Sequence, residues 1–326
     1  MDKKTFGKAF DYIKDAIEKS RYFEGEAEIG LEEGEFVAHL HESKFKKFEG
    51  KSKAKGAAID GSSLKILDGH FFIIGSRRVG YVVADENGIT DRRIWNTDME
   101  ALSKYDAKEA FKEKYENFMQ NPPPKIPESV EEANDAIRGL EEHAAAREAM
   151  GKLGEGDIIM MDGSLQGSEY LSDVIEENCR IALEKGLHLV GVCKRSDLYT
   201  KKLPVLSWVK RRGDKIFGKE RWYYPLSEEK GIYIAKFHPV SKFSFRVDIN
   251  PMEKDVEEIM GKIAVFSNDV SYLGYPYPLA VIHREVVLTS EDGMYFRRVL
   301  REMALKSGYT IDDWEELFFD YHEYLG

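Results

Sequence analysis

The chain predicts an α/β protein built on one mixed sheet, an antiparallel meander followed by parallel strands with crossover helices. Three observations carry this. Strand-like runs, AAIDGSS at 57–63, GHFFIIGS at 69–76 and RVGYVVADENG at 78–88, follow one another across short segments rich in Gly, Asp and Arg, which suit turns and predict a three-strand meander. Two nearly continuous apolar runs, DIIMMD at 157–162 and LHLVGVC at 187–193, have the make-up of strands covered on both faces. The helix-length stretch between them gives the spacing of a βαβ unit, hence parallel pairing.

Taken in order, Phe6, Phe10, Ile13 and Ile17 recur at three- and four-residue spacing and predict an amphipathic helix whose stripe must bury against the body or another subunit. ESKFKKFEGKSKAKG at 42–56 interleaves six lysines with Phe45 and Phe48, and reads as a solvated loop or a phosphate-contacting one. After the meander, a helix around Asp106–Met119 is stopped by NPPPKIPES. Ser129 or a neighbouring polar residue is placed to cap the next helix, from about Val130 to Lys152, which turns Ile137, Leu140, Ala144 and Ala145 toward a core. A helix over Ser168–Lys185 joins the two buried strands. Residues 197–224 hold eight Lys/Arg between Lys201 and Arg221 together with Trp208, Trp222, Tyr223 and Tyr224. That is either a charged excursion with aromatics packed beneath it or a nucleic-acid contact. GIYIAKFH and KFSFRVDI predict two further strands, followed by a helix around Glu253–Val265, the segment SYLGYPYPLAVIHREVVLTSED, a helix over Gly293–Lys306 and the aromatic tail DDWEELFFDYHEYL. With no internal repeat and no linker, residues 1–326 read as one elaborated domain: a core at about 57–300, an N-terminal helix and basic loop at 1–56, and a helical tail at 301–326.

Composition narrows the function. A net charge of −11 excludes a uniformly basic DNA-coating protein, so any nucleic-acid contact must come from a local patch. Hydrophobic residues at 42% and aromatics at 12% exclude a wholly disordered chain. Cys179 and Cys193 stand too far apart for a CxxC site and read as buried thiols rather than a disulfide or zinc module. The N-terminus lacks the apolar core of a signal peptide, and nothing approaches the ~18 apolar residues of a spanning helix; the expected location is cytoplasmic, with no membrane partner.

Two acids share a local sequence, Asp60 in AAIDGSS and Asp162 in IMMDGSL. Asp-Gly alone is an ordinary turn dipeptide. The pair says more, because a meander strand and a later parallel strand can set both acids on adjacent central strands. Paired carboxylates suit hard divalent cations such as Mg²⁺ or Mn²⁺, and two such ions ~3.5–4 Å apart activate water and stabilise the leaving oxygen in phosphodiester hydrolysis. A third acid would come from Glu141, Glu142 or Glu148 on the preceding helix, each otherwise a solvated glutamate; Glu141 lies about one turn beyond Arg138 and close to the apolar stripe. Lys194, directly after a buried strand, is placed to neutralise a phosphoryl oxygen or simply to cap the strand. His283 in LAVIHREVV is a core histidine, a metal ligand or a proton donor, and Tyr275 in GYPYP stacks a base, holds a phosphate or packs a rigid turn.

The ordered set of IDGSS with its meander, an acid-bearing helix, MMDGSL, GVCKRS and GYPYPLAVIHREV resembles the NurA family of nucleases over roughly residues 57 to 300. The resemblance implies an RNase H-like mixed sheet flanked by helices, with Mn²⁺ (or Mg²⁺) as cofactor. It also implies degradation of DNA by 5′-to-3′ exonuclease and single-strand endonuclease activity, and a homodimer acting beside a HerA-type hexameric helicase in DNA end resection. Carried over by residue, it implies that Asp60 and Asp162 are metal ligands and that a helical glutamate is a third. The family's glutamate follows an Arg by about one turn, which favours Glu141 and leaves Glu142 and Glu148 open. His283 and Tyr275 fit the family's C-terminal histidine and the tyrosine eight residues before it, and Lys194 a lysine after a core strand. Two other classes compete. Actin-like or sugar-kinase-like ATPases share the meander-plus-parallel core, but their Asp-x-Gly pattern has a residue that is missing after Asp60. A non-catalytic DNA-binding adaptor would use the terminal segments as docking surfaces.

Overall fold

The computed structural model describes residues 3–318 apart from 23–24, 32–33, 52, 70, 97–98, 167–168, 195–197 and 199–204. Lys201 and Lys202 of the basic run, Arg195 and Ser196 of GVCKRS, Ser168 and the end of the aromatic tail from residue 319 therefore lie outside the described residues.

Helix α1 (Lys3–Tyr22) precedes a hairpin of β1 (Gly25–Leu31) and β2 (Gly34–Leu40), which forms a sheet of its own. The stripe expected to bury is largely uncovered within this chain, with Phe6, Phe10 and Ile13 each more than half exposed. After the short β3 (Lys46–Lys47) comes the meander of β4 (Gly56–Asp68), β5 (Phe72–Asp85) and β6 (Gly88–Asn96), with β7 (Glu100–Ser103) returning to pair with the start of β5. The meander exists, but its strands are drawn differently from the expectation. The part of GHFFIIGS from Phe72 onward and RVGYVVAD form one continuous strand, and the third strand is GITDRRIWN. Arg77, between the two runs, suggested a turn; it is instead a strand residue only 1% exposed, donating to Asn134 Oδ1 (2.9 Å) and ion-paired with Glu100 and Glu141. A buried guanidinium is tolerated when its donors are met in this way.

Helix α2 (Ala107–Met119) leads through the proline segment to α3 (Val130–Met150), which Ser129 opens with a capping box to Glu132 as its position predicts. Then follow β8 (Ile158–Asp162), α4 (Ser172–Glu184), β9 (His188–Cys193), α5 (Val205–Phe217), β10 (Trp222–Ser227), β11 (Ile232–Lys236), β12 (Phe245–Ile249) and α6 (Val256–Val265). The chain closes with α7 (Tyr277–Val286), α8 (Ser290–Lys306) and α9 (Ile311–Phe318). Helix α7 was not legible as such, although Pro276 and Pro278 suit the first turn of a helix, where the missing N–H costs nothing.

The large sheet runs β3-β10-β11-β12-β9-β8-β4-β5-β6, with β7 beside β5. Strands β4, β8 and β9 are parallel neighbours; the other pairs are antiparallel. This is the mixed α/β sheet flanked by helices that the sequence predicts. Its centre is apolar on both faces because alternate residues enter opposite cores. Ala58, Met160 and Val190 pack with α6 and α7, whereas Ile59, Met161 and Leu189 pack with α3 and α4. Among the described residues no helix is long and apolar enough to cross a membrane.

Candidate metal centre

The parallel register sets the site. Ala58 lies opposite Met160 and Ile59 opposite Met161, so one step further along both strands brings Asp60 and Asp162 side by side, on the face shared with Ala58 and Met160. Strand β8 ends there and β4 continues, which opens a crevice at the carboxyl end of the parallel strands, where sites in open α/β sheets form. Helix α7 covers this face and delivers His283, whose Nδ1 lies 2.8 Å from Asp60 Oδ2 and 3.8 Å from Asp162 Oδ2. Asp60, Asp162 and His283 each offer a ligand atom, all within 4.8 Å of one another. Lys194, just beyond β9, donates to Asp162 Oδ2, and the Tyr275 hydroxyl donates to Asp162 Oδ1 (3.3 Å). The Lys194 ammonium also stands 5.8 Å from the centre of the Tyr275 ring.

Charge is crowded here. Burial first, then the neighbouring Asp162 and Glu142 carboxylates, push the Asp60 carboxyl up to about 8. Burial also raises Tyr275, helped by the same two aspartates, so its phenol stays protonated. His283 is held below the usual imidazole range by burial and by the Lys194 ammonium, against the pull of Asp162. Two carboxylates that resist ionising together, with an imidazole beside them, form a donor set that a hard or borderline divalent cation fits: it supplies the positive charge that the pair lacks and accepts oxygen and nitrogen ligands alike.

The helical acid beside the two aspartates is not the one the resemblance favoured. Glu141 faces away, toward Arg77 (3.3 Å) and Lys114 (4.0 Å), where it serves the buried guanidinium of β5. Glu148 pairs with Arg93 (2.6 Å) and accepts from the Tyr81 hydroxyl (3.2 Å). Glu142 is the helical acid at the cluster. It is held by Arg138 and pressed against Gly61, where an added Cβ would come 2.5 Å from Glu142 Oε1. Burial raises its carboxyl against the lowering effect of Arg138. Spacing did not separate the two: residues three and four beyond Arg138 both lie near it on the helix, and it is the pull of Arg77 and Lys114 on Glu141 that leaves Glu142 with Arg138. Beside Glu142 and Asp162 opens a cleft of about 800 Å³, whose lining includes Arg138, Gln166 and Tyr170.

The basic–aromatic run resolves differently from its nucleic-acid reading. Trp208, Trp222 and Tyr224 are fully buried beneath α5 together with Phe45, and Tyr223 is buried on the opposite face of β10 with Phe48, so none of these rings is presented for base stacking. Lys210 pairs with Asp214 (2.7 Å) and Arg212 with Glu42.

Comparison with known proteins places this architecture. A family model described as NurA domain matches residues 55–288. The crystal structure of the NurA nuclease from Sulfolobus solfataricus is similar over 94% of this chain and 98% of that one, at 15% identity and a TM-score of 0.60. A second NurA crystal structure aligns over 75% of this chain and 86% of that one (11% identity, TM-score 0.45), and human ENDOV over 81% and 94% (12% identity, TM-score 0.39). No curated protein matches significantly in sequence.

Proposed function

The chain belongs to the NurA family, and from that we propose that it is a metal-dependent DNA nuclease hydrolysing phosphodiester bonds in a single catalytic domain. The observation that carries the reading is the meeting of Asp60, Asp162 and His283 within 4.8 Å of one another, with Glu142 beside them. Asp60, Asp162 and Glu142 would hold Mn²⁺ or Mg²⁺, two ions in the full site, with His283 a further ligand or proton donor. Cations held there would generate a hydroxide nucleophile and stabilise the leaving oxygen. The chain's own side chains do the rest. Lys194 places an ammonium at the mouth of the site, where it offsets charge on a phosphate. His283 keeps Nδ1 on Asp60; as an imidazolium it would give its Nε2 proton to the departing oxygen and be left neutral with Nδ1–H on the carboxylate, and its ring is 49% exposed and within reach of substrate. Tyr275, kept protonated, fixes one oxygen of Asp162 while the other meets Lys194.

The finer activity follows the family: 5′-to-3′ exonuclease and single-strand endonuclease action as a homodimer with a HerA-type helicase in the cytoplasm, in end resection during double-strand break repair. End-labelled single- and double-stranded DNA incubated with Mn²⁺, Mg²⁺ or EDTA tests the reading. Products should form with the cations, disappear with EDTA, and be absent for Asp60→Ala at retained fold. Full activity in Asp60→Ala would overturn it, and salt-sensitive DNA binding without product would favour an adaptor instead.

A further inference from the structure

Beyond the residues that line the site, we propose that a buried Asp248–Arg246 pair on β12 is the positioning device for Asp162, clamping from the opposite face of the sheet the turn that aims its carboxylate. This rests on the reading of Asp162 as a metal ligand. Phe245, Val247 and Ile249 of β12 enter the core under α6 and α7, so Arg246 and Asp248 project to the other side, away from His283. Both are buried, at 5% and 1% exposure.

The turn they hold is the one leaving Asp162. Gly163, at φ 125°, bends the chain out of β8 while its N–H still donates to Val192 O (3.1 Å). The next residues fold over β9 at Gly191, where an added Cβ would come 2.5 Å from Gly163 O and 2.9 Å from Leu165 N. Asp248, paired across the ladder with Gly191, reaches up beside this contact. Its Oδ2 accepts from Ser164 Oγ (2.6 Å) and from the Leu165 N–H (3.1 Å). Arg246 completes the arrangement, donating through Nε to Oδ1 (2.7 Å) and through Nη2 to Oδ2 (2.8 Å) and to Ser164 Oγ (2.9 Å).

Asp248 thus accepts four hydrogen bonds, three at Oδ2 and one at Oδ1, two of them from the turn. A buried ion pair is a poor source of stability, because desolvating both charges offsets their attraction. Its worth here is geometric. Gly191 sets the floor of the turn, Asp248 and Arg246 grip its hydroxyl and amide, and Asp162 sits two residues from the grip with its side chain on the other face. Asp248 and Arg246 project from the face of the sheet opposite His283, so they position and do not react.

The test is Mn²⁺ binding to the full-length protein, followed by calorimetry and by the electron paramagnetic resonance of the unbound ion, with melting temperature recorded alongside. Ser164→Ala removes the hydroxyl at a surface position, and Gly191→Ala lifts the floor without removing any polar group. Each should weaken Mn²⁺ binding about tenfold, the scale of losses on removing outer support of a metal ligand. Ser164→Thr, which keeps the hydroxyl, should bind within about twofold of the wild type on the same scale. Wild-type affinity in both Ser164→Ala and Gly191→Ala overturns the clamp, as does a loss in Ser164→Ala matched only by a fall in melting temperature. Asp162→Asn separates the two ideas. If it leaves Mn²⁺ binding intact, the metal-site reading itself fails; if it abolishes binding while Ser164→Ala does not weaken it, the clamp alone fails.

Discussion

Asp60-Gly61-Ser62 and Asp162-Gly163-Ser164 are the same three residues in two conformations. The first lies in the middle of β4, where Asp60 pairs with Gly80 and Gly61 with Val79, and its glycine is needed because Glu142 presses against it. The second ends β8, and its glycine is needed because the backbone turns through φ 125° with nothing crowding it. One glycine makes room for the Glu142 side chain and the other lets a strand stop. An identical local sequence therefore carries two physical requirements, and only the sheet around it says which.

Experiments can break or sharpen that contrast. The largest effect should come from what the two copies share: Asp60→Asn and Asp162→Asn are each expected to lower DNA hydrolysis by roughly a thousandfold or more, measured on end-labelled DNA with Mn²⁺. A surviving activity in one of them would show that the two acids are not equivalent. Next, Glu142→Gln should cost about a hundredfold in rate while Glu141→Gln stays within about threefold. Glu141→Gln should instead lower the melting temperature, since Arg77 loses part of its neutralisation. The glycines then separate the two conformations. Gly61→Ala displaces Glu142 and should lower activity about tenfold at modest loss of stability, whereas Gly163→Ala should lose about 1–3 kcal/mol in denaturant unfolding through backbone strain.

The smallest effect concerns pH. Asp60 is raised from 3.8 to about 8, so the folded chain keeps a proton that the unfolded chain releases. This contribution favours the folded state at acid pH and is lost as pH climbs from about 4 to about 8. In chelator, Asp60→Asn should therefore gain stability relative to wild type between pH 5 and pH 8 in thermal melts; a constant difference across that range would contradict the shift.

Much of this was legible from residue order. The buried strands DIIMMD and LHLVGVC, the Ser129 cap and the strand-borne acids follow from apolar runs and capping chemistry, which are local. What escaped depended on partners distant in sequence. Arg77 imitated a turn because its acceptors, Asn134, Glu100 and Glu141, come from elsewhere in the fold. Those contacts also draw Glu141 away from the site that it was expected to join. The rings of Trp208, Trp222 and Tyr224 left packing and stacking equally open, because composition does not record which side of a helix or strand faces the core; the structure packs them.

The hydrogen bond between His283 and Asp60 joins residues 223 positions apart, and Asp162 enters between them in sequence. Such long closures come late, after the local meander and helices have formed. During synthesis the chain would emerge with β4 and its aspartate first, then α3, then β8, and only with α7 would the histidine arrive. The candidate centre is therefore divided along the chain, and no single segment holds it whole. On the proposed site, a chain truncated before α7 would carry both aspartates and lack the histidine that meets them.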